Sequence, residues 1–304
     1  MKIFKIALIG SGLTMDEHLR ALKDIKKFKF ILSGVYSRQH KNALKLKKKF
    51  KIKEAYKSID EMYYKTKADI VIVVISAENV KKVILKISKY DWKIFTEKPL
   101  GINFKETLDI KKKIGFKLKD IFIALNRLYY QSTNSALKII KKDKSKRIIN
   151  IYDQERIYEN KVLSKNLMYT NSVHLFCFCQ ILARGKLKKI ITIKKNKEYL
   201  LKELIFTSGD IIFFHSIWNR PFPWKIEISL KNFFLILSPL EKLFIRNSNS
   251  NKFFEVKNNN DDKKYKPGFK KQLEDFLGQT LSNTKKYNFD YYFDVVKIIK
   301  AYYD

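Results

Sequence analysis

Lys5-Ile6-Ala7-Leu8-Ile9-Gly10-Ser11-Gly12-Leu13-Thr14-Met15 is the stretch that decides the fold. A short apolar run stops at glycine, a second glycine follows, and Leu13–Lys27 then carries Leu19, Leu22 and Ile25 at helical spacing. The order is strand, tight turn, helix. G-x-G-x-x-M is two-thirds of the dinucleotide fingerprint, whose first two glycines allow the turn and the approach of a pyrophosphate to the helix N-terminus. The third normally lets helix and strand pack closely, and Met15 stands in its place. Glycines after a first strand also occur as plain turns, so the surrounding pattern has to support the reading.

It does. Phe30–Tyr36 reads as a second strand and Asn42–Phe50 as a Lys-rich helix. Ala68–Ile75 is a buried strand by its unbroken β-branched run, followed by a helix at Asn79–Lys89, a strand at Trp92–Thr96, a helix at Phe104–Ile114 and a strand at Ile121–Ala124. Such alternation predicts βαβ units and a doubly wound parallel sheet. After a helix at Ser132–Lys142, strands dominate: Arg147–Arg156, Lys188–Lys194, Lys202–Phe206, Ile211–Ile217, Trp224–Leu230, Phe233–Leu237 and Lys242–Ile245. A helix near Asn171–Leu182 interrupts them, and Ser208-Gly209-Asp210 marks a hairpin turn. Asn247–Pro267 reads as a polar loop, with closing helices at Phe269–Leu281 and Tyr291–Tyr303. The expected class is α/β. A Rossmann-type doubly wound parallel sheet occupies residues 1–121, and an α+β domain with a large, mainly antiparallel, open-faced sheet occupies residues 122–304.

The 304 residues include 64 Lys+Arg against 30 Asp+Glu, a formal net charge of +34. With 45% hydrophobic residues, wholesale disorder is excluded. Ile70–Ile75 and Phe233–Leu237 are far too short to span a bilayer, which needs roughly 20 apolar residues. Lys2 and Lys5 flank only Ile6–Ile9, too short for a secretory signal core, and the cysteine pair Cys177 and Cys179 offers neither a disulfide framework nor metal-ligand spacing. A cytoplasmic protein without a metal is expected. Only 8 of the 64 basic residues are arginine, the residue that reads phosphates and bases with a bidentate fork, so nucleic acid is not the expected partner. Coding bias explains a dispersed lysine excess, and a polyanion-binding surface is the other explanation.

An absence carries the next signal. A site for NAD usually offers a carboxylate about 20 residues after the glycines, to hold the ribose 2′-hydroxyl. Between Asp24 and Glu54 there is no acidic residue, and the second strand ends Val35-Tyr36-Ser37-Arg38. Ser37 and Arg38 suit a 2′-phosphate, which favours NADP with NAD possible. A solvated basic loop is the alternative reading of Arg38.

Gly10-x-Gly12 with His18, then Phe95-Thr96-Glu97-Lys98-Pro99-Leu100-Gly101, Ala124-Leu125-Asn126-Arg127-Leu128-Tyr129 and Phe269-Lys270-Lys271-Gln272-Leu273-Glu274-Asp275-Phe276 together resemble the Gfo/Idh/MocA family, that of glucose–fructose oxidoreductase and inositol dehydrogenase. The resemblance implies hydride transfer between a nicotinamide cofactor and a secondary alcohol or ketone of a sugar, cyclitol or nucleotide-sugar, in a homo-oligomer. It implies Lys98 and His174 as the catalytic pair. Cofactor contacts are expected from Gly10, Ser11, Gly12, Leu13, Thr14, Ser37, Arg38, Ser76, Ala77, Glu97, Lys98 and Asn126, and substrate contacts from Thr170, Asn171 and His174. A cap at Thr170, Asn171 or Ser172 would set His174 in the first turn of its helix, where the dipole disfavours imidazolium. Substrate selection is expected from the second sheet's exposed face and loops around Tyr152–Asn160. Three positions depart from the family: Thr170 and Cys177 stand where aspartates are frequent, and Leu128 where an arginine is common. Met15, Thr170 and Cys177 keep open the alternative of a catalytically degenerate dinucleotide-binding member acting as a regulatory or partner subunit.

Overall fold

The computed structural model describes residues 3–156, 164–257, 261–282 and 287–303. The chain forms two compact units, Met1–Leu125 with Phe269–Phe293, and Asn126–Gly268 with Asp294–Asp304. The segment Phe269–Phe293 packs within the first unit although it follows the second in sequence.

The first unit alternates strand and helix: β1 (Ile3–Ile9), α1 (Leu13–Lys23), β2 (Lys29–Tyr36), α2 (His40–Phe50), β3 (Ala55–Tyr56), α3 (Ile59–Thr66), β4 (Ile70–Val73), α4 (Ala77–Ile87), β5 (Lys93–Glu97), α5 (Phe104–Ile114) and β6 (Ile121–Ala124). The six strands lie in the order β3-β2-β1-β4-β5-β6, every pair parallel. Ile6, Leu8, Ile70, Val71 and Phe95 are almost fully buried, because a sheet covered by helices on both faces has no wet side. The strand order reverses between β1 and β4, which opens a crevice at the carboxyl ends of the strands.

Two elements of the first unit escaped the sequence reading, β3 and α3. Both lie between Phe50 and Ala68, and α3 carries a start signal: the Ser58 hydroxyl accepts a hydrogen bond from the Glu61 N–H at 3.0 Å, in a Ser-x-x-Glu pattern. A later helix, α8 (Phe269–Gln279), completes the unit. Phe269 stacks on His18 at 4.1 Å, Phe276 packs at 5.4 Å from both Phe95 and Phe122, and Lys270 pairs with Asp24 at 2.9 Å.

The second unit contains α6 (Gln131–Lys142), β7 (Ile148–Glu155), α7 (Val173–Leu182), β8 (Leu187–Lys195), β9 (Tyr199–Phe206), β10 (Ile211–Trp218), β11 (Lys225–Ser229), β12 (Phe233–Leu237), β13 (Phe244–Asn247) and β14 (Phe254–Glu255). Helix α9 (Phe289–Tyr303) contributes its last residues. The sheet order is β14-β13-β12-β11-β7-β10-β9-β8, with β7 and β10 parallel and the other pairs antiparallel. Strand β7 alternates buried and part-exposed residues, so one face of the sheet packs against helices. Phe176 of α7 stacks on Phe214 of β10 at 4.1 Å, and Tyr302 closes edge-on against both. Strand β14 lies inside the stretch read as a loop. Among the described residues no helix is long and apolar enough to cross a membrane.

Ser58→Ala removes the α3 cap. Its expected cost is about 1 kcal/mol of stability, measurable as a lower urea midpoint with an unchanged slope.

Candidate active site

At the carboxyl edge of the first sheet a cavity of about 710 Å³ is lined by the β1–α1 turn, the end of β2 and the start of α4. Gly10 sits at φ +108°, and a Cβ there would lie 1.9 Å from the Val74 carbonyl oxygen. Its N–H donates to the Tyr36 carbonyl at 2.9 Å, so β1, β2 and β4 converge on this residue. A Cβ on Gly12 would meet nothing within 4 Å, which leaves open space over the helix start. No side chain caps α1; the Met15 N–H already donates to the Gly12 carbonyl at 3.0 Å, and the N–H groups of Leu13 and Thr14 at the helix start remain for an anion. Met15, where a third glycine is usual, is fully buried and part of the core.

Ser11 donates to the Ser37 hydroxyl at 2.8 Å, tying the glycine turn to the end of β2. Exposed Arg38 follows and lines the same cavity. Lys82 and Lys86 of α4 line it as well, and the sequence reading missed both. Lys86 pairs with Asp60 at 2.7 Å, whereas Arg38 and Lys82 meet no carboxylate among the described residues. Nothing local in the sequence marks the two lysines, since only the βαβ topology brings α4 beside the end of β2.

The expected cofactor residues divide on this geometry. Gly10, Ser11, Gly12, Leu13, Thr14, Ser37, Arg38 and Ser76 line the cavity, while Ala77, Glu97, Lys98 and Asn126 are outside its lining. Glu97 is engaged elsewhere: its Oε1 lies 2.6 Å from Nε2 of His18, a fully buried ring held between Phe269 and the edge of Phe95. Lys98, next in sequence, is part-exposed at the end of β5, and Leu100 donates its N–H to the Tyr292 hydroxyl at 3.1 Å. In the second unit the Asn126 amide donates to the Pro267 carbonyl at 3.1 Å, and Arg127 lies over the Trp224 ring at 4.6 Å.

The helix bearing His174 begins differently from expectation. Met168–Ser172 is a π-helical turn that runs directly into α7, with helical backbone already at Leu167 and no capping side chain. A cap needs extended backbone, and Ser172 has φ −61° and ψ −18°. His174 therefore is not in a first turn, and no dipole argument applies to it. It is 7% exposed. The Thr170 hydroxyl turns back to the Leu167 carbonyl at 3.4 Å, and Cys177 is fully buried.

Beneath this turn β7 carries two buried carboxylates that no motif announced. Asp153 and Glu155 are 1% and 3% exposed and continue the buried row of Ile149 and Ile151. Glu155 accepts a hydrogen bond from the Asn171 amide at 2.6 Å. Burial pushes the Asp153 carboxyl up to about 6, while the Ser172 hydroxyl and the Arg127 guanidinium pull the other way. Strand alternation placed both acids on the inner face, but acids at such positions read as solvent-facing in a sequence. Of the stretch Tyr152–Asn160, residues 157–160 lie outside the described residues.

Residues 4–115 match the model of the Gfo/Idh/MocA family, described as an oxidoreductase family with an NAD-binding Rossmann fold. No curated protein matches the chain. Among solved structures, a dehydrogenase from Chromobacterium violaceum is similar with a TM-score of 0.82, over 99% of this chain and 94% of its own, at 12% identity. A levoglucosan dehydrogenase in complex with NADH and L-sorbose gives 0.82 over 100% and 96%, also at 12% identity. The UDP-N-acetylglucosamine 3-dehydrogenase of Acidithiobacillus ferrooxidans gives 0.77 over 99% and 96% at 12% identity. At such identities the likeness is one of fold.

Two predictions follow from the geometry. Gly10→Ala forces a Cβ into the Val74 carbonyl and is expected to cost at least about 2 kcal/mol, read by chemical denaturation. Asp153 has a raised folded value, so the unfolded chain ionises first and stability falls as pH rises from about 4 to about 6. Asp153→Asn is expected to be relatively more stable at pH 7.5 than at pH 4.5; an equal difference from wild type at both pH values would refute the assignment.

Proposed function

We propose that the protein is an NAD(P)-dependent oxidoreductase acting on a CH–OH group of a sugar, cyclitol or nucleotide-sugar, with NADP preferred; the match of residues 4–115 to the model of an oxidoreductase family with an NAD-binding Rossmann fold supports this reading. One observation carries the reading: a cavity at the sheet's switch point built from a glycine turn with no room for a side chain at Gly10 and open space at Gly12. These residues fit a dinucleotide. Gly10–Thr14 and the α1 N-terminus would hold the pyrophosphate, and Ser37 and Arg38 the 2′-phosphate. Bound nicotinamide supplies the hydride chemistry.

The chain's own residues have three tasks in this scheme. Lys98 donates a hydrogen bond to the reacting oxygen, and its charge stabilises that oxygen as it loses its proton. His174 accepts the proton in oxidation and returns it in reduction, and its near-complete burial excludes bulk water from the ring. Asn171 and Thr170 belong to the substrate side. The first 121 residues serve the dinucleotide, and the large sheet of the second part serves substrate binding and pairing of subunits in a cytoplasmic homo-oligomer. A sugar-type substrate agrees with what the neighbouring structures' names state for those proteins, levoglucosan and UDP-N-acetylglucosamine dehydrogenases.

His174→Ala and Lys98→Met are each expected to lower kcat by at least about 100-fold, the usual size of a general acid–base contribution. Steady-state assays over a sugar and cyclitol panel check this, and turnover unchanged in either variant would remove that residue from the mechanism. Arg38→Ala is expected to raise the KM for NADP by roughly 10-fold or more and leave that for NAD nearly unchanged, because a charge-assisted bond to phosphate contributes about 1.5–3 kcal/mol.

A further inference from the structure

His18 of α1 is fully buried, and its Nε2 lies 2.6 Å from Oε1 of Glu97, the last residue of β5. A carboxylate only accepts, so the imidazole donates through Nε2. The ring stacks on Phe269 at 4.1 Å and meets Phe95 edge-on at 5.2 Å, which fixes its plane. Nδ1 is buried with no hydrogen-bond partner among the described residues. A phenyl ring would fill the same slot without leaving a buried nitrogen unpaired, so the bond to Glu97 is what the imidazole adds there. Two functional segments meet through it. Helix α1 starts at the glycine turn, where Leu13 and Thr14 line the cavity, and His18 comes roughly 8 Å further along the helix axis than Leu13. Glu97 lies outside that lining and directly precedes Lys98. On the other side of Lys98, the Leu100 N–H donates to the Tyr292 hydroxyl at 3.1 Å, so the chain is anchored before and after the lysine.

We propose that His18 and Glu97 are positioning residues that couple the dinucleotide cavity to Lys98: the helix whose start would receive the pyrophosphate holds, through one charge-assisted bond, the residue that sets the direction of the Lys98 side chain. The proposal rests on the reading of Lys98 as the group that binds the reacting oxygen. A bond to a carboxylate is shorter and about twice as strong as one between neutral groups, so α1 and the end of β5 shift together. Filling the cavity fixes the start of α1, and the bond carries that restraint to Lys98. Without the bond the strand end follows the helix less closely, and a misplacement of about 1 Å at a reacting group costs on the order of 100-fold in rate. Neither residue touches substrate or transfers a proton, and Glu97 serves Lys98 rather than contacting the cofactor.

The test uses the full chain with NADPH as the probe. Trace acetylation resolved by peptide mass spectrometry reads Lys98, fluorescence titration reads NADPH binding, and nicotinamide absorbance reads turnover over the sugar panel. In wild type, NADPH is expected to change the labelling rate of Lys98 at least about 5-fold, the lower end of the usual coupling between sites. His18→Phe keeps the ring packing and removes the donor. It is expected to abolish that response while NADPH still binds, and to lower kcat about 10-fold or more with little change in the KM for NADPH. His18→Gln, whose amide nitrogen reaches toward Glu97, is expected to restore the response. Glu97→Leu gives the same comparison if His18→Phe does not fold. An equal response at Lys98 in wild type, His18→Phe and Glu97→Leu overturns the proposal, as does NADPH failing to bind wild type. Loss of NADPH binding in Glu97→Leu alone also overturns it, since Glu97 would then contact the cofactor directly. A His18-dependent response at Lys98 without turnover of any sugar supports the coupling and removes the redox role of Lys98. Turnover with a Lys98 response indifferent to His18 does the reverse.

Discussion

At Gly10 the chain comes so close to β4 that no Cβ fits, and the first unit is organised around that approach. The central strand β1 ends with its last N–H bonded to the carbonyl of Tyr36 on one side and the carbonyl of Val74 pressed against it on the other. Three strand ends are thereby gathered within one turn, and the helix that leaves the turn points its uncapped start at the space they enclose. The cavity follows from the crowding: where β1, β2 and β4 meet, the backbone itself becomes the wall, and its N–H groups become the polar lining. The side chains that add charge, Ser37, Arg38 and Lys82, are placed by the strands and helices that this turn holds in register.

Most of the first unit was legible because buried parallel strands announce themselves as unbroken apolar runs. Phe104–Ile114, Ile121–Ala124 and Phe233–Leu237 agree with the sequence reading to the residue. The miss at α3 has a different cause. Its eight residues Ile59–Thr66 bury only Ile59, Met62 and Thr66, too few for a periodicity argument, and the Ser58–Glu61 capping pattern was the sole usable sign. The second unit's sheet was legible as strands but not as an order, since pairing β7 in parallel with β10 between antiparallel neighbours depends on contacts distant in sequence.

The site divides along the same line. The glycine turn and the Ser37–Arg38 step are local and could be read. Lys82, Asp153 and Glu155 reach their places only through topology. The helix start before His174 was misjudged because three polar residues in a row look like a cap. In the folded chain two of them are spent differently: Thr170 on its own helix and Asn171 on Glu155. A π-turn replaces the cap, and its extra residue per turn shifts which side chains face β7.

The charge of +34 acquires a local meaning from where the few acids are used. Asp16 serves Arg20 and Lys49, Asp109 serves Lys81 and Lys113, and Asp60 serves Lys86, Lys89 and the Tyr90 hydroxyl. The bonds from Lys86, Tyr90 and Lys89 hold the Asp60 carboxyl far below the usual carboxylate range. With acids shared two and three ways, the rim of the cavity keeps Arg38 and Lys82 without a protein counter-ion among the described residues. Elsewhere such cations would simply be solvated and contribute little. Beside the cavity they add positive charge that would favour an anionic ligand. Because both cations are exposed, that attraction is screened by salt and acts most strongly over about 10 Å or less. A dispersed lysine excess therefore says little about the fold, but the scarcity of carboxylates at one strand end determines the sign of the ligand drawn to it.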